Sequence, residues 1–178
     1  MSEHSFSSHP PSRLQRDAFV ARYGGVYEHS PWIAEAAHEA GLSSRADSAE
    51  GLAAEMARQV EAAAHEKQLA LLRAHPDLAG RLAQRGELTA ASTGEQAGAG
   101  LDACSPEEFE RFQTLNTRYV ARFGFPFILA VKGYQRAEIL EIFERRVDND
   151  PETEFRTALD QVHRIALLRL TALAESEE

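Results

Sequence analysis

Glycine and proline divide this sequence into segments in which apolar residues recur every three or four positions. That spacing places the apolar side chains on one face of an α-helix, and it predicts a helix for each segment. Residues 13–23 end at a pair of glycines, and residues 31–40 end at Gly41. The Ala-rich stretch after Asp47 predicts one long helix, which must end near His75 because a residue that precedes proline is displaced from the helical region.

Helix signals continue to the end of the chain, with a single extended interruption. Residues 76–85 predict a short helix, and the pattern Ser105-Pro106-x-Glu108 predicts the start of a longer one through a capping box. Residues 124–131 are apolar and contain a proline, which favours extended backbone. We therefore expect an all-α protein, a helical bundle of about eight helices with at most one short strand.

The first dozen residues differ from the rest of the chain. They are rich in Ser, His and Pro and have no periodicity, so we expect a loose N-terminal leader at residues 1–12. The remaining sequence contains no linker and no internal repeat. Residues 13–178 are therefore expected to form one domain.

The charge of the chain limits its partners and its compartment. The 178 residues include 19 Lys and Arg against 28 Asp and Glu, a net charge of -9 without a basic cluster, which argues against nucleic acid and anionic membranes as partners. No apolar stretch approaches the roughly 18 residues that span a bilayer, and the N-terminus lacks a secretory signal. One cysteine, Cys104, excludes an intramolecular disulfide. We expect a cytoplasmic protein.

Metal and nucleophile motifs are missing from the sequence. The seven histidines show no HxxxH or HExxH spacing, and Cys104 has no partner cysteine, so no metal site is predicted. There is no GxSxG motif for a serine nucleophile.

The sequence His75-Pro76-Asp77 lies between two predicted helices. Histidine is the usual proton carrier of an active site at neutral pH, and Pro76 would fix the backbone beside it. The alternative is purely structural, with Asp77 capping the next helix and His75 ending the previous one. A histidine-proline-aspartate loop also occurs in J-domain co-chaperones, but those domains are shorter and carry a basic helix before the loop.

A second cluster, Ser92-x-x-Glu95-Gln96, is open to two interpretations. Ser92 and Glu95 fit a capping box with a structural role. The functional alternative takes Glu95 as the carboxylate partner of a histidine and Gln96 as an amide that binds substrate. Nearby glycines lack the GxxxxGK[ST] pattern of a phosphate-binding loop.

Two further features have functional and structural interpretations. The extended run that contains Phe127, Ile128 and Leu129 offers backbone amides and carbonyls to a planar, amide-rich ligand, to a neighbouring side chain or to water. Arg169 falls on the apolar stripe of the last helix, four residues after Ile165. A guanidinium there needs an anion, a salt-bridge partner on another helix, or a route to solvent.

Several short motifs follow one another in a fixed order: His75-Pro-Asp-Leu, Ser92-x-x-Glu95-Gln96, Asn116-x-x-Tyr119, Arg122-Phe-Gly-Phe-Pro-Phe127 and Arg169-Leu170. Together they resemble the OHCU decarboxylase family, which acts on 2-oxo-4-hydroxy-4-carboxy-5-ureidoimidazoline (OHCU), the unstable intermediate between urate and allantoin. The likeness covers nearly the whole chain after residue 12.

The resemblance implies an all-helical enzyme that is commonly dimeric and needs no cofactor. It matches the catalytic histidine to His75 and the acidic partner to Glu95. The substrate-binding positions that it implies are Pro76, Ser92, Gln96, the backbone of Phe127, Ile128 and Leu129, and Arg169. The partners implied are the small-molecule substrate, a second copy of the chain, and a functional link to the 5-hydroxyisourate hydrolase of the preceding step.

The function implied is a carboxy-lyase that converts OHCU to (S)-allantoin by histidine-mediated proton transfer. Two alternatives are kept: another enzyme of ureido compounds on the same scaffold, and a J-like helical interaction module.

Overall fold

The computed structural model describes residues 4–80, 83 and 85–177 of the chain. The described residues form eight α-helices: α1 (Arg16–Tyr23), α2 (Trp32–Ala40), α3 (Ala49–Glu61), α4 (His65–Arg73), α5 (Ala90–Gly98), α6 (Pro106–Phe123), α7 (Arg136–Arg146) and α8 (Pro151–Glu175). Within these residues there is no β-strand, only an isolated antiparallel bridge between Ser5 and Ser48. The all-α prediction is confirmed. Across the same described ranges, no helix is both long and apolar enough to cross a membrane.

The Ala-rich stretch predicted as one long helix is instead two helices, α3 and α4, with a break at residues 62–64. The Gln68 side-chain amide donates to the Val60 carbonyl at 3.0 Å, and the Ala63 amide binds the same carbonyl at 3.1 Å where α3 ends. The backbone amides of Lys67 and Gln68 bind the Ala64 carbonyl at 3.0 and 3.1 Å and so begin α4. Alanine favours helix on both sides of the break, so composition gives no signal there.

Two compact units divide the chain, each with its own core. The first contains the described residues up to Ala74 and those from Val162 onward, and the second runs from His75 to Gln161. Buried apolar side chains of the first unit include Phe19, Tyr23, Ile33, Leu52, Met56, Ala166 and Leu170. In the second unit the Tyr119 ring is surrounded by the rings of Phe123, Phe125, Phe127 and Phe143. The predicted single domain at residues 13–178 stays a prediction.

The N-terminal segment is ordered against the first unit from residue 4, contrary to the loose leader predicted at residues 1–12. Phe6 is only 2% exposed, and its ring meets the Tyr23 ring edge-on at 4.9 Å. The Phe6 amide donates to the Asp47 carbonyl at 2.9 Å, and the Ser12 amide and hydroxyl donate to the Asp47 carboxylate at 2.8 and 2.7 Å. A single aromatic residue has no periodicity, which is why the sequence pattern does not reveal this anchor. Residues 1–3 lie outside the described part.

We expect Phe6→Ala to lower the free energy of unfolding by about 3 kcal/mol, since it removes a buried aromatic side chain and leaves a cavity against Tyr23. Urea denaturation followed by far-UV circular dichroism measures this change. Ser7→Ala, at the exposed neighbouring position, is the matched control and should change stability by less than about 0.5 kcal/mol. Equal stability of the two variants would show that the segment is loose in solution.

Candidate active site

His75 lies in a turn between α4 and α5. It is only 7% exposed, and it follows α4, which ends at Arg73. Residues 76–80 are not helical, so the helix predicted for residues 76–85 is wrong over that part; Ala83 is helical, and positions 81, 82 and 84 lie outside the described residues. Ala79 has a φ of 50°, in the left-handed region that non-glycine residues rarely adopt. A Cβ at Gly80 would lie 2.7 Å from the Asp77 Cβ, so the turn requires glycine there.

Three side-chain amides hold the backbone of this turn. Gln96 Oε1 accepts from the Ala79 amide at 3.1 Å, and Gln96 Nε2 donates to the Asp77 carbonyl at 3.1 Å. Gln113 Nε2 donates to the Ala79 carbonyl at 2.7 Å. Asn116 Nδ2 donates to the Leu78 carbonyl at 3.0 Å. The turn after His75 is therefore fixed by side chains from α5 and α6, which compensate for a backbone that leaves helical geometry.

Helix α5 carries Ser92, Glu95 and Gln96, but the capping-box interpretation of Ser92 and Glu95 is wrong. The N-cap of α5 is Thr89, whose hydroxyl oxygen accepts from the Ser92 amide at 3.3 Å. Ser92 thus lies inside the first turn of the helix, where it is buried together with Gln96, and Glu95 is half-buried. Side chains three or four positions apart share a helix face, so one face of α5 carries the predicted carboxylate and both predicted polar partners.

Gln96 connects α5 to the histidine turn. Both polar ends of its carboxamide bind the backbone of residues 77–79. The sequence pattern suggested a substrate-binding role for Gln96, which stays a prediction. Its contacts explain how α5 and the turn that follows His75 come together within one unit.

The extended run at residues 124–131 is held by side chains from two helices. The carbonyl of Ile128 accepts from Arg146 Nη1 at 2.7 Å, and the amide of Ala130 donates to Gln161 Oε1 at 2.9 Å. The Arg146 guanidinium also lies over the Phe127 ring, 4.5 Å from its centroid. Within the described residues, the amides of Phe127, Ile128 and Leu129 have no protein acceptor. Side chains therefore bind part of this backbone, and three amides are left for a ligand or water.

Arg146 belongs to a buried polar network that the sequence interpretation missed. Glu154 is fully buried and accepts from Arg146 Nε at 3.1 Å and Nη2 at 3.0 Å. Asn149 Nδ2 donates to the same carboxylate at 3.1 Å, and the Tyr119 hydroxyl donates to it as well. Burial, and then the hydrogen bond with Glu154, raise the pKa of Tyr119, so the phenol remains a donor at neutral pH. Glu154 lies four residues before the buried Ala158 on α8, the same stripe signal that singled out Arg169.

In the first unit, Arg169 already has an anionic partner. Its Nη1 lies 2.8 Å from Glu28 Oε2, and the Glu28 side chain is 1% exposed. The same nitrogen is 3.4 Å from the Gly25 carbonyl. A protein carboxylate supplies the anion that a guanidinium on the apolar stripe needs, so the salt-bridge alternative holds, but the partner lies in a turn rather than on another helix. Substrate binding by Arg169 stays a prediction.

A cavity of about 580 Å³ borders the histidine turn in the second unit. Its lining includes Ala79, Gln96, Leu101, Cys104 and Phe109. Burial raises the pKa of the Cys104 thiol, which keeps it protonated and poorly nucleophilic at neutral pH. Of the predicted site residues in the described ranges, only Gln96 lines this cavity. The cavity is therefore lined by Gln96, which holds the turn, and not by the predicted catalytic residues His75 and Glu95.

Comparison with known proteins gives a consistent result over nearly the whole chain. The family described as OHCU decarboxylase matches residues 12–171. The "2-oxo-4-hydroxy-4-carboxy-5-ureidoimidazoline decarboxylase" of Haloferax volcanii is 49% identical over 98% of this chain and 99% of its own length. The protein of the same name from Halalkalicoccus jeotgali is 45% identical over 91% of this chain and 88% of its own.

A solved structure shares the fold. The structure described as (S)-allantoin synthase superposes with a TM-score of 0.70 and 33% identity over 91% of this chain. This chain spans about half of that protein, 52% of its length. The chain belongs to the OHCU decarboxylase family.

Proposed function

We propose that this protein decarboxylates OHCU to (S)-allantoin, with His75 as the proton-transfer residue. The observation that carries the proposal is the position of the buried His75. It lies beside a turn that Gln96 binds, and Gln96 shares a face of α5 with Ser92 and Glu95. The near-full-length match to two curated decarboxylases supports the reaction. Family membership also argues against the J-like interaction module as an alternative.

The chemistry of the substrate explains why so few groups suffice. One ring carbon carries both a carboxylate and a hydroxyl, next to an imine-like ring position. When the bond to the carboxylate breaks, CO2 leaves and its electron pair passes into the heterocycle. The hydroxyl on this carbon then loses its proton and becomes a ring carbonyl, and a proton must be added to one face of the neighbouring ureido-bearing ring carbon to give a single enantiomer. The heterocycle accepts the electrons, so the protein needs to supply orientation and a proton carrier.

The named residues divide these tasks. His75 takes the hydroxyl proton or delivers a proton to the neighbouring ureido-bearing ring carbon. Glu95 orients the imidazole and holds the substrate hydroxyl. Ser92, Gln96 and the backbone amides near Phe127 bind the ring and ureido groups. Pro76, Ile128, Leu129 and Arg169 complete the proposed substrate-binding set.

The extended run is suited to an amide-rich ligand because it is rigidly held. Arg146 fixes the Ile128 carbonyl and covers the Phe127 ring, while the amides of residues 127–129 remain available. A donor that is already held in place loses little conformational entropy when the ligand binds, so its hydrogen bond contributes more to affinity. The Arg146–Glu154 pair therefore supports substrate binding from behind the segment that contacts the substrate.

The two assembly proposals have different grounds, one chemical and one the family resemblance. A short-lived substrate favours a functional link to the 5-hydroxyisourate hydrolase that makes it. The homodimer is kept as a proposal on the family resemblance. Sedimentation velocity of the purified protein tests the dimer.

We expect His75→Gln to lower kcat by at least about 10²-fold, since it removes the proton carrier while keeping a side chain of similar size. OHCU is generated in the cuvette from urate with the two upstream enzymes, and (S)-allantoin is followed by circular dichroism. The variant should show only the slow spontaneous decay to racemic allantoin. His65→Gln, at an exposed position of α4, is the matched histidine control. Wild-type production of (S)-allantoin by His75→Gln would exclude the role of His75.

We expect Arg146→Met to destabilise the protein by about 3–5 kcal/mol, because it leaves the buried Glu154 carboxylate without its cation. The KM for OHCU should also rise, since the Ile128 carbonyl loses its donor. Arg156→Met removes an exposed i,i+4 pair with Asp160 and should cost less than about 1 kcal/mol. Denaturant titration and steady-state kinetics measure both variants. If both variants lose the same small free energy of unfolding, the Arg146–Glu154 network does not support the extended run at residues 124–131.

A further inference from the structure

The turn at residues 77–79 adopts a backbone that its own sequence does not favour. Within the described part of the second unit, Ala79 is the one non-glycine residue with a positive φ. Such a conformation persists only where the surroundings hold it, and it often marks a functional site. The turn begins two residues after His75, so any movement of it changes the backbone that carries the imidazole.

The hydrogen bonds to this turn come from two different helices. Gln96 of α5 binds the Asp77 carbonyl and the Ala79 amide. Gln113 and Asn116 of α6 bind the carbonyls of Ala79 and Leu78. The two α6 residues are three positions apart and therefore lie on one face of that helix. Four backbone groups of the turn are thus matched by three side-chain amides.

The Asn116 side chain has one buried polar atom that does not stabilise the fold. It is 5% exposed, and its Oδ1 has no hydrogen-bond partner among the described residues. A buried carbonyl oxygen without a partner opposes folding and offsets the bond that Nδ2 makes to Leu78. An apolar residue of the same size would remove this unfavourable group. Asn116 thus binds the turn through Nδ2 while its Oδ1 contributes nothing to stability among the described residues.

We propose that Gln113 and Asn116 are positioning residues for His75. They hold the 77–79 turn from α6, while Gln96 holds it from α5, and together they set the place and orientation of the imidazole. The proposal rests on the proposed role of His75 in proton transfer. Displacement of a catalytic group by about 1 Å can reduce a rate by about 10²-fold, so loss of one of these bonds should act on the chemical step.

The test compares Gln113→Leu, Asn116→Leu and Gln113→Glu with the wild type. Glutamate keeps the shape of glutamine but replaces the donor to the Ala79 carbonyl with an acceptor. We expect kcat to fall by about 10- to 100-fold in each variant, with a smaller change in KM. Gln113→Lys restores an N–H donor and should recover most of the rate. For Asn116→Leu the Tm should stay within a few degrees, since the loss at Leu78 and the removal of the orphaned oxygen oppose each other.

A matched control exists in the first unit. Gln68 is also half-buried, and its side-chain amide donates to a backbone carbonyl, that of Val60, at 3.0 Å. Gln68→Leu loses the same kind of hydrogen bond away from the histidine turn. It should leave kcat within about twofold of the wild type. A fall in kcat in this control equal to that of Gln113→Leu would overturn the proposal.

A second measurement separates this proposal from the proposed function. The ring resonances of His75 are assigned in ¹⁵N-histidine-labelled protein by their loss in His75→Gln. Those resonances should shift in the Gln113 and Asn116 variants and stay in place in Gln68→Leu. If they do not move, or if kcat is retained, Gln113 and Asn116 do not position His75. If His75→Gln itself keeps full activity, the proposed function fails, and the resonance shifts still decide whether these amides hold the imidazole.

Discussion

Backbone that leaves helical geometry inside a helical protein must find hydrogen-bond partners outside the helices, and this requirement shapes the second unit. At residues 77–79 the partners are the amides of Gln96, Gln113 and Asn116. At Ile128 and Ala130 they are Arg146 and Gln161. Predicted site residues lie directly before the first segment and within the second, so the groups that satisfy the backbone also position those residues.

The buried charge of Arg146 follows from the same requirement. Its guanidinium is needed at the Ile128 carbonyl, and a cation buried there needs an anion, which Glu154 supplies. Glu154 then requires donors for its remaining lone pairs, and Tyr119 and Asn149 provide them. One extended segment thus leads to a network of several buried polar groups within an aromatic core.

Local signals predicted most of the helices and some of their ends. The Ser105–Glu108 capping box forms as expected. The Ala-rich break between α3 and α4 has no local signal, because alanine is compatible with helix throughout. At α5 two hydroxyl residues three positions apart competed for the N-cap, and Thr89 rather than Ser92 takes it. Which of two such residues becomes the N-cap depends on the contacts that each side chain makes in the folded protein.

Some of the candidate site residues could be predicted from the sequence, and others are found only from their contacts. Motif order identified His75 and the α5 residues, and the stripe argument found that Arg169 needs an anion. The partner Glu28 lies far away in sequence, and nothing in a single sequence pairs the two. Gln113 has an ordinary polar position on α6, and its contact with Ala79 is visible only in three dimensions. Asn116, the second α6 residue that binds the turn, belongs to the motif Asn116-x-x-Tyr119, whereas Gln113 belongs to no motif and is found only by its contact.

Because Phe6 packs on Tyr23, the first unit includes residues that precede the family match. The family match starts at residue 12, yet the ring that packs on Tyr23 and the amide that binds Asp47 lie before it. The edge of sequence similarity and the edge of the folded unit are therefore different boundaries. A polypeptide cut at the first of them would leave one face of Tyr23 exposed to water, and apolar surface of that kind promotes association between molecules.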